Sequence, residues 1–168
     1  MQPFKEMNIT LRKARKEDMP HVLALIKELA AYERAPNEVE VTIEELERDG
    51  FSAHPVFWAI LAEYDEQVVG MALYYIKYST WKGKCVFLED IIVTEKHRGK
   101  GVGGMLFAAV VEAIKPLKVR RLEWQVLEWN ETAINFYKKY NSHFDPEWLN
   151  CKLTENQIQE FSIPNPYP

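Results

Sequence analysis

Four glycines fall within six residues, Gly99, Gly101, Gly103 and Gly104, and Lys96, Arg98 and Lys100 are set among and just before them. The cluster stands between an apolar run ending at Val93 and an amphipathic stretch that opens near Gly101. Closely spaced glycines let a backbone turn with several N–H groups aimed inward, and a helix start adds a positive end. The segment therefore demands a strand, a tight turn and a helix in succession, with three cations beside the turn. A plain connection has no use for that combination; a pyrophosphate cradle does.

Gly99, Gly101 and Gly104 match the dinucleotide pattern GxGxxG, and Glu123 follows 19 residues after Gly104. The context disagrees. A dinucleotide-binding strand runs almost directly into its first glycine, whereas Thr94–Arg98 intervene here. The preceding strands form a hairpin, and no second mononucleotide half follows. A Walker-type phosphate loop is excluded because no Gly-Lys-Ser/Thr occurs.

The 168 residues fit one domain, 1–168, with loose tails at 1–7 and 162–168. Folding at this length buries roughly 70% of the unfolded surface, enough for a core without staples. There is no internal repeat, low-complexity run or Gly/Ser linker. No apolar run approaches a membrane span of about 18 residues, and the first seven residues carry no apolar signal region. Lys plus Arg is 21 against 25 for Asp plus Glu, a net charge of −4. That balance argues against nucleic acid and anionic membranes and favours a cationic ligand. Cys85 and Cys151 are far apart and lack a His partner at metal spacing, so they read as two buried thiols in strands of a cytoplasmic protein, and no metal is expected.

Along the chain, Ile9 and Leu11 alternate with polar residues as a strand. Val22, Ile26, Leu29 and Ala30 share a helical face over roughly 17–32. Thr42-Ile-Glu-Glu45 is a capping box for a short helix that Gly50 is expected to end. The stretches 56–64 and 67–78 flank Asp65-Glu66 as a hairpin, and 85–93 is a third strand interrupted only by Glu89-Asp90. A helix over 101–115 follows, then a strand at 121–127, a helix capped by Asn130, a last strand at 148–153 and a closing helix at 155–161. The order β-α-α-β-β-β-α-β-α-β is a mixed-sheet α/β sandwich. Strand alternation predicts that Glu89 and Asp90 point to opposite faces.

Arg98-Gly-Lys-Gly-Val-Gly103 after Leu88-Glu-Asp-Ile-Ile-Val93 resembles the acetyl-CoA loop of the GNAT N-acetyltransferases. Four further segments are similar to the spermidine/spermine (diamine) acetyltransferase branch: Leu25–Ala30 with Tyr32-Glu33, Asp49–Phe51 with His54-Pro55, Tyr78–Gly83, and Glu128–Glu131 with Asn135–Tyr137. The resemblance covers roughly residues 8–153. Ser79-Thr80, with Leu127 before Glu128-Trp129-Asn130, looks like its thialysine-acetylating sub-branch. Two features depart from the family: Lys138–Asn141 lacks the usual glycine, and Pro164–Pro168 is unlike it.

The resemblance implies a GNAT-like, largely antiparallel central sheet flanked by helices, acetyl-CoA as co-substrate, a small-molecule amine as acceptor, and a homodimer. It assigns the pantetheine arm to the backbone of Ile91, Ile92 and Val93. The pyrophosphate falls to Arg98, Gly99, Lys100, Gly101, Val102 and Gly103, and a further cofactor contact to Asn130, which equally suits a plain helix cap. Tyr137 matches the general acid; a phenol is protonated at neutral pH and can donate to a leaving thiolate. Glu89 matches the proposed base. Tyr32 and Glu33 match residues lining the amine site, Trp81 resembles an aromatic there, Glu89 and Asp90 would hold the ammonium, and Ser79 stands at the amine site where the spermidine/spermine acetyltransferases proper carry an aspartate. The same residues suit a non-catalytic acyl-CoA-binding sensor, or a GNAT enzyme acting on another amine; Tyr137 and Glu89 favour the enzyme.

Overall fold

The computed structural model describes residues 8–162. The chain divides after Gln125 into two compact units. The first holds strands β1 (Ile9–Lys13), β2 (Trp58–Tyr64), β3 (Gln67–Ser79), β4 (Gly83–Val93) and β5 (Leu122–Glu123), with helices α1 (Met19–Tyr32), α2 (Ile43–Phe51) and α3 (Val102–Ile114). The second holds α4 (Glu131–Lys138) and α5 (Glu155–Gln159). The strands lie in sequence order β1-β2-β3-β4-β5, antiparallel up to β4. A crossover through α3 makes β5 parallel to β4. No described helix is long and apolar enough to cross a membrane.

Each face of the sheet carries helices because each presents apolar side chains. Met19, Val22 and Leu25 of α1 and Leu46 of α2 pack on Leu61, Met71 and Ile92. Leu106, Val110 and Ile114 give α3 its buried face. Gly70 permits a close approach there: a Cβ would lie 2.8 Å from the Ile92 carbonyl oxygen and 3.2 Å from Leu106 Cδ1. Arg12 ties the entry of α1 to the sheet. Its fork donates to Asp18 at 2.6 and 2.8 Å and to Glu63 at 2.8 and 2.6 Å. The Arg12 bond holds the Asp18 carboxyl below its usual range. The hairpin turn between β2 and β3 is left-handed at both Asp65 (φ 47°) and Glu66 (φ 62°), as a two-residue turn requires.

Several expectations need correction. The strand expected at 148–153 does not form. A strand needs a hydrogen-bonded neighbour, and none of the described strands pairs with this segment. Its apolar side chains lie in solvent instead: Trp148 is 71% exposed and Leu149 88%. Cys151, expected buried in that strand, is therefore exposed, while Cys85 is buried in β4. The strand expected over 121–127 shrinks to Leu122–Glu123, paired only with Val86 and Phe87. Gly50 does not end α2; the helix runs through it, and its missing Cβ makes room for the Phe57 ring, 2.8 Å from where that atom would be. The capping box at Thr42 does form. The tail expected at 1–7 lies outside the described residues, as does the one expected at 162–168 except for residue 162.

Gly70→Ala should cost about 1–3 kcal/mol in denaturant unfolding, because the added Cβ meets a backbone oxygen that cannot rotate away.

Candidate active site

The β3–β4 ladder contains one irregularity, and the site is built around it. Leu73 pairs with Asp90 and Tyr74 with Leu88, so Glu89 is an extra residue with no partner on β3. Such a bulge breaks the alternation of faces. Glu89 is close enough to Tyr75 for its charge to raise the phenol, while Asp90 stands opposite Leu73, two residues along from Tyr75 on the same strand face. The expectation that Glu89 and Asp90 point to opposite faces is thus overturned: the bulge puts both on one.

That face is acidic. Glu33, at the C-terminal end of α1, is close enough for its charge to act on Asp90. The helix places it there by a Schellman-type end, in which the Ala35 N–H reaches the Ala30 carbonyl at 2.8 Å and Arg34 adopts φ 65°. Desolvation, then the charges of Glu89 and Glu33, push the Asp90 carboxyl up to about 6. Desolvation also raises Glu33. Desolvation and the charge of Glu89 raise the Tyr75 phenol to about 12. Among the described residues no group of three or more His, Cys, Asp or Glu could hold a metal ion. Three carboxylates within reach of one another's charge would attract a cation such as an alkylammonium. Further along this face the Tyr75 and Phe87 rings stack at 5.5 Å, and Lys77 lies 5.4 Å from the Phe87 ring centre.

Beyond Phe87 the outer edge of β4 has no strand partner among the described residues, because the β5 ladder has stopped. Ile91, Ile92 and Val93 pair on their other side with Ala72, Met71 and Gly70. The backbone groups of this edge suit the amides of an extended arm. The chain then turns through Glu95–His97 into the glycine loop. Gly99 (φ 72°) and Gly101 (φ 85°) are left-handed, and a Cβ at either would meet nothing within 4 Å. Glycine is required there by conformation. Gly101 is the N-cap of α3 without a side-chain cap, so the amides of the first turn, including Val102 and Gly103, are available to an anion. These features fit a pyrophosphate. Two of the nearby cations fold back: Lys100 Nζ donates to the Lys96 carbonyl at 2.8 Å, and Arg98 Nε to the Val93 carbonyl at 2.8 Å. The Arg98 guanidinium lies over the Tyr32 ring, 4.8 Å from its centre.

The structure thus sets Glu33, Glu89 and Asp90 within reach of one another's charge, and Tyr32, beside Glu33 on α1, against Arg98 of the glycine loop. Ser79 and Trp81 stand at the far end of the β3–β4 hairpin; Ser79 Oγ accepts the Trp81 and Lys82 N–H groups at 3.3 and 3.2 Å, and Trp81 is exposed. Tyr137 and Asn130 belong to the second unit. Tyr137 is buried on α4 with its ring edge-on to Phe136 at 5.1 Å. Asn130 does cap α4, its Oδ1 accepting the Ala133 N–H at 3.1 Å. Sequence reading missed Tyr75, since nothing in a run of β-formers marks the residue a bulge will bring to a carboxylate.

The chain is similar to several known proteins. The model of the Acetyltransferase (GNAT) family matches residues 19–141. A thialysine N-epsilon-acetyltransferase of Mus musculus is 37% identical over 163 residues, 90% of this chain and 96% of the relative. Its counterpart from Bos taurus is 38% identical over 77% of this chain and 81% of the relative. A spermidine/spermine N(1)-acetyltransferase-like protein of Homo sapiens is 36% identical over 76% of this chain, but that match spans only 19% of the human protein. Among solved structures, an integron cassette protein from V. cholerae superposes with a TM-score of 0.74 at 23% identity, covering 91% of this chain and 96% of the other. On the family match and the coverage of these relatives, the chain belongs to the GNAT acetyltransferase family.

Proposed function

We propose that the protein transfers an acetyl group from acetyl-CoA to a primary amine of a small diamine, polyamine or thialysine-like substrate. The observation that carries this reading is the bulge at Glu89, which puts Glu89 and Asp90 on one face, where Glu33 at the end of α1 adds its charge. Acetyl-CoA supplies the acetyl group already activated as a thioester. Ile91–Val93 would hold its arm and the loop 98–103 its pyrophosphate, with Asn130 adding a contact beyond its capping role. The carboxylates hold the incoming ammonium. Tyr32 lends it an aromatic face, the usual companion of a bound cation.

The ammonium must lose a proton before its nitrogen attacks the thioester carbon. An alkylamine with a lysine-like pKa near 10.4 costs roughly 4–5 kcal/mol to deprotonate at neutral pH. The resemblance points to Glu89 as the base. Burial and two like charges lift Asp90 towards neutrality, which suits it to that step and leaves Glu89 as the ammonium anchor. As the new C–N bond forms and the C–S bond breaks, Tyr137 donates its phenolic proton to the departing sulfur. A sensor domain would have no use for this acid–base pair. The names of the relatives support short or carboxylate-bearing amines, and so does Ser79, where an aspartate would give a distal ammonium one more anchor. The exposed apolar side chains Trp148, Leu149, Leu153, Ile158 and Phe161 support the homodimer.

Acetyl-CoA turnover over polyamines, diamines and lysine analogues tests the reading; no turnover of any amine would leave the sensor. Tyr137→Phe should keep cofactor binding in calorimetry and lose about 10²–10⁴-fold in kcat. Ser79→Asp should shift kcat/KM towards polyamines by about tenfold.

Asp90 gives a pH signature of defined sign. Its folded pKa of about 6 lies above the ordinary 3.8, so the folded state holds the proton more tightly. Its contribution to stability is then present below about pH 4 and lost as the pH rises to about 6. Asp90→Asn should therefore raise stability at pH 8, by about 3 kcal/mol, and add little at pH 4. The same variant should lose the acidic limb of the kcat/KM profile along with most turnover.

A further inference from the structure

Glu28 joins two segments that are 67 residues apart in sequence. It lies on α1 one helical turn before Tyr32. Its Oε1 accepts the Glu95 N–H at 3.0 Å, at the start of the turn that leads into the glycine loop. The same oxygen lies 3.5 Å from Nη2 of Arg98, the first residue of that loop. Arg98 then spreads its guanidinium over the Tyr32 ring. The path closes on itself: carboxylate of α1, backbone and cation of the loop, aromatic ring of α1.

A half-exposed ion pair at 3.5 Å is weak taken alone. Here it is joined by a backbone N–H donating to a carboxylate, a charge-assisted bond, and by a ring that fixes the plane of the guanidinium. Glu28 therefore registers the position of the loop relative to the helix end that carries Tyr32 and Glu33. We propose that Glu28 is a positioning residue that couples the cofactor loop to the amine-lining end of α1, so that filling either site raises affinity at the other. The proposal rests on the amine acetyltransferase reading. A loop ordered by a bound anion holds Arg98 and Glu95 in place, and through Glu28 it holds Tyr32 and Glu33 where an ammonium meets them. Linkage makes the effect reciprocal.

Two substitutions separate the contacts. Glu28→Gln keeps an acceptor for the Glu95 N–H and removes the charge facing Arg98; Glu28→Ala removes both. Calorimetric titration of 1,4-diaminobutane into the protein, with and without saturating CoA, measures the coupling, and titration of CoA with and without the diamine checks its reciprocity. Wild type should bind the diamine about fivefold more tightly when CoA is present. The ratio should fall to about one in Glu28→Ala and to an intermediate value in Glu28→Gln. The kcat at saturation of both substrates should stay within about threefold of wild type, while KM for the amine rises. A wild-type ratio of one overturns the proposal. So does Glu28→Ala with lowered melting temperature and CoA affinity but an unchanged ratio, since that marks a merely structural role. A wild type that binds CoA but no amine under either condition overturns the amine reading itself, and the proposal with it.

Discussion

The pairing of β3 with β4 is the constraint from which the rest of the molecule takes its geometry. It is the longest ladder in the sheet, running from Gly70↔Val93 to Ser79↔Gly83. One end delivers the chain into the glycine loop, and the other forms the hairpin that carries Trp81. Its middle gives the buried surfaces on which α1 and α3 rest. A ladder of this length tolerates a one-residue bulge because the hydrogen bonds on either side hold the register. Two carboxylates can therefore stand on a face that regular alternation would have given to only one of them.

Gathering like charges opposes folding. Asp90 is desolvated and faces two other carboxylates, an arrangement that a chain selected only for stability would avoid. The opposing contributions lie elsewhere in the first unit: the apolar faces of α1 and α3, and the paired fork of Arg12 on Asp18 and Glu63. These two acidic groups illustrate opposite environments. Asp18 has a guanidinium against it and falls below the ordinary carboxylate range; Asp90 has acids and apolar surroundings and rises. A locally unfavourable cluster set in a well-packed scaffold is the usual condition of a site that handles protons.

Much of this was legible in the sequence, and the reasons differ from element to element. The loop was legible because only glycine adopts left-handed backbone freely, so Gly99 and Gly101 announce their conformation directly. The hairpin at Asp65-Glu66 and the cap at Thr42 were legible from local chemistry. What failed depends on long-range pairing. Residues 148–153 have a strand's composition, but composition does not provide a neighbour. The face on which Glu89 lies depends on a count of residues across two strands, which no single strand reveals. Gly50 has the identity of a helix stop, yet the packing of Phe57 decides its role. The tie of Glu28 to Glu95 spans too great a separation for any local pattern to show.

The two thiols occupy opposite environments, and this has a practical consequence. Cys85 is sealed in the sheet, while Cys151 stands in solvent in the second unit. A reagent that reacts only with accessible thiols meets a chain that is effectively monofunctional. A fluorophore or spin label can thus be attached at one defined point of the native sequence, away from the glycine loop in the chain and without removing a cysteine first. The molecule comes with its own attachment point for an optical or magnetic reporter of the segment that follows α4.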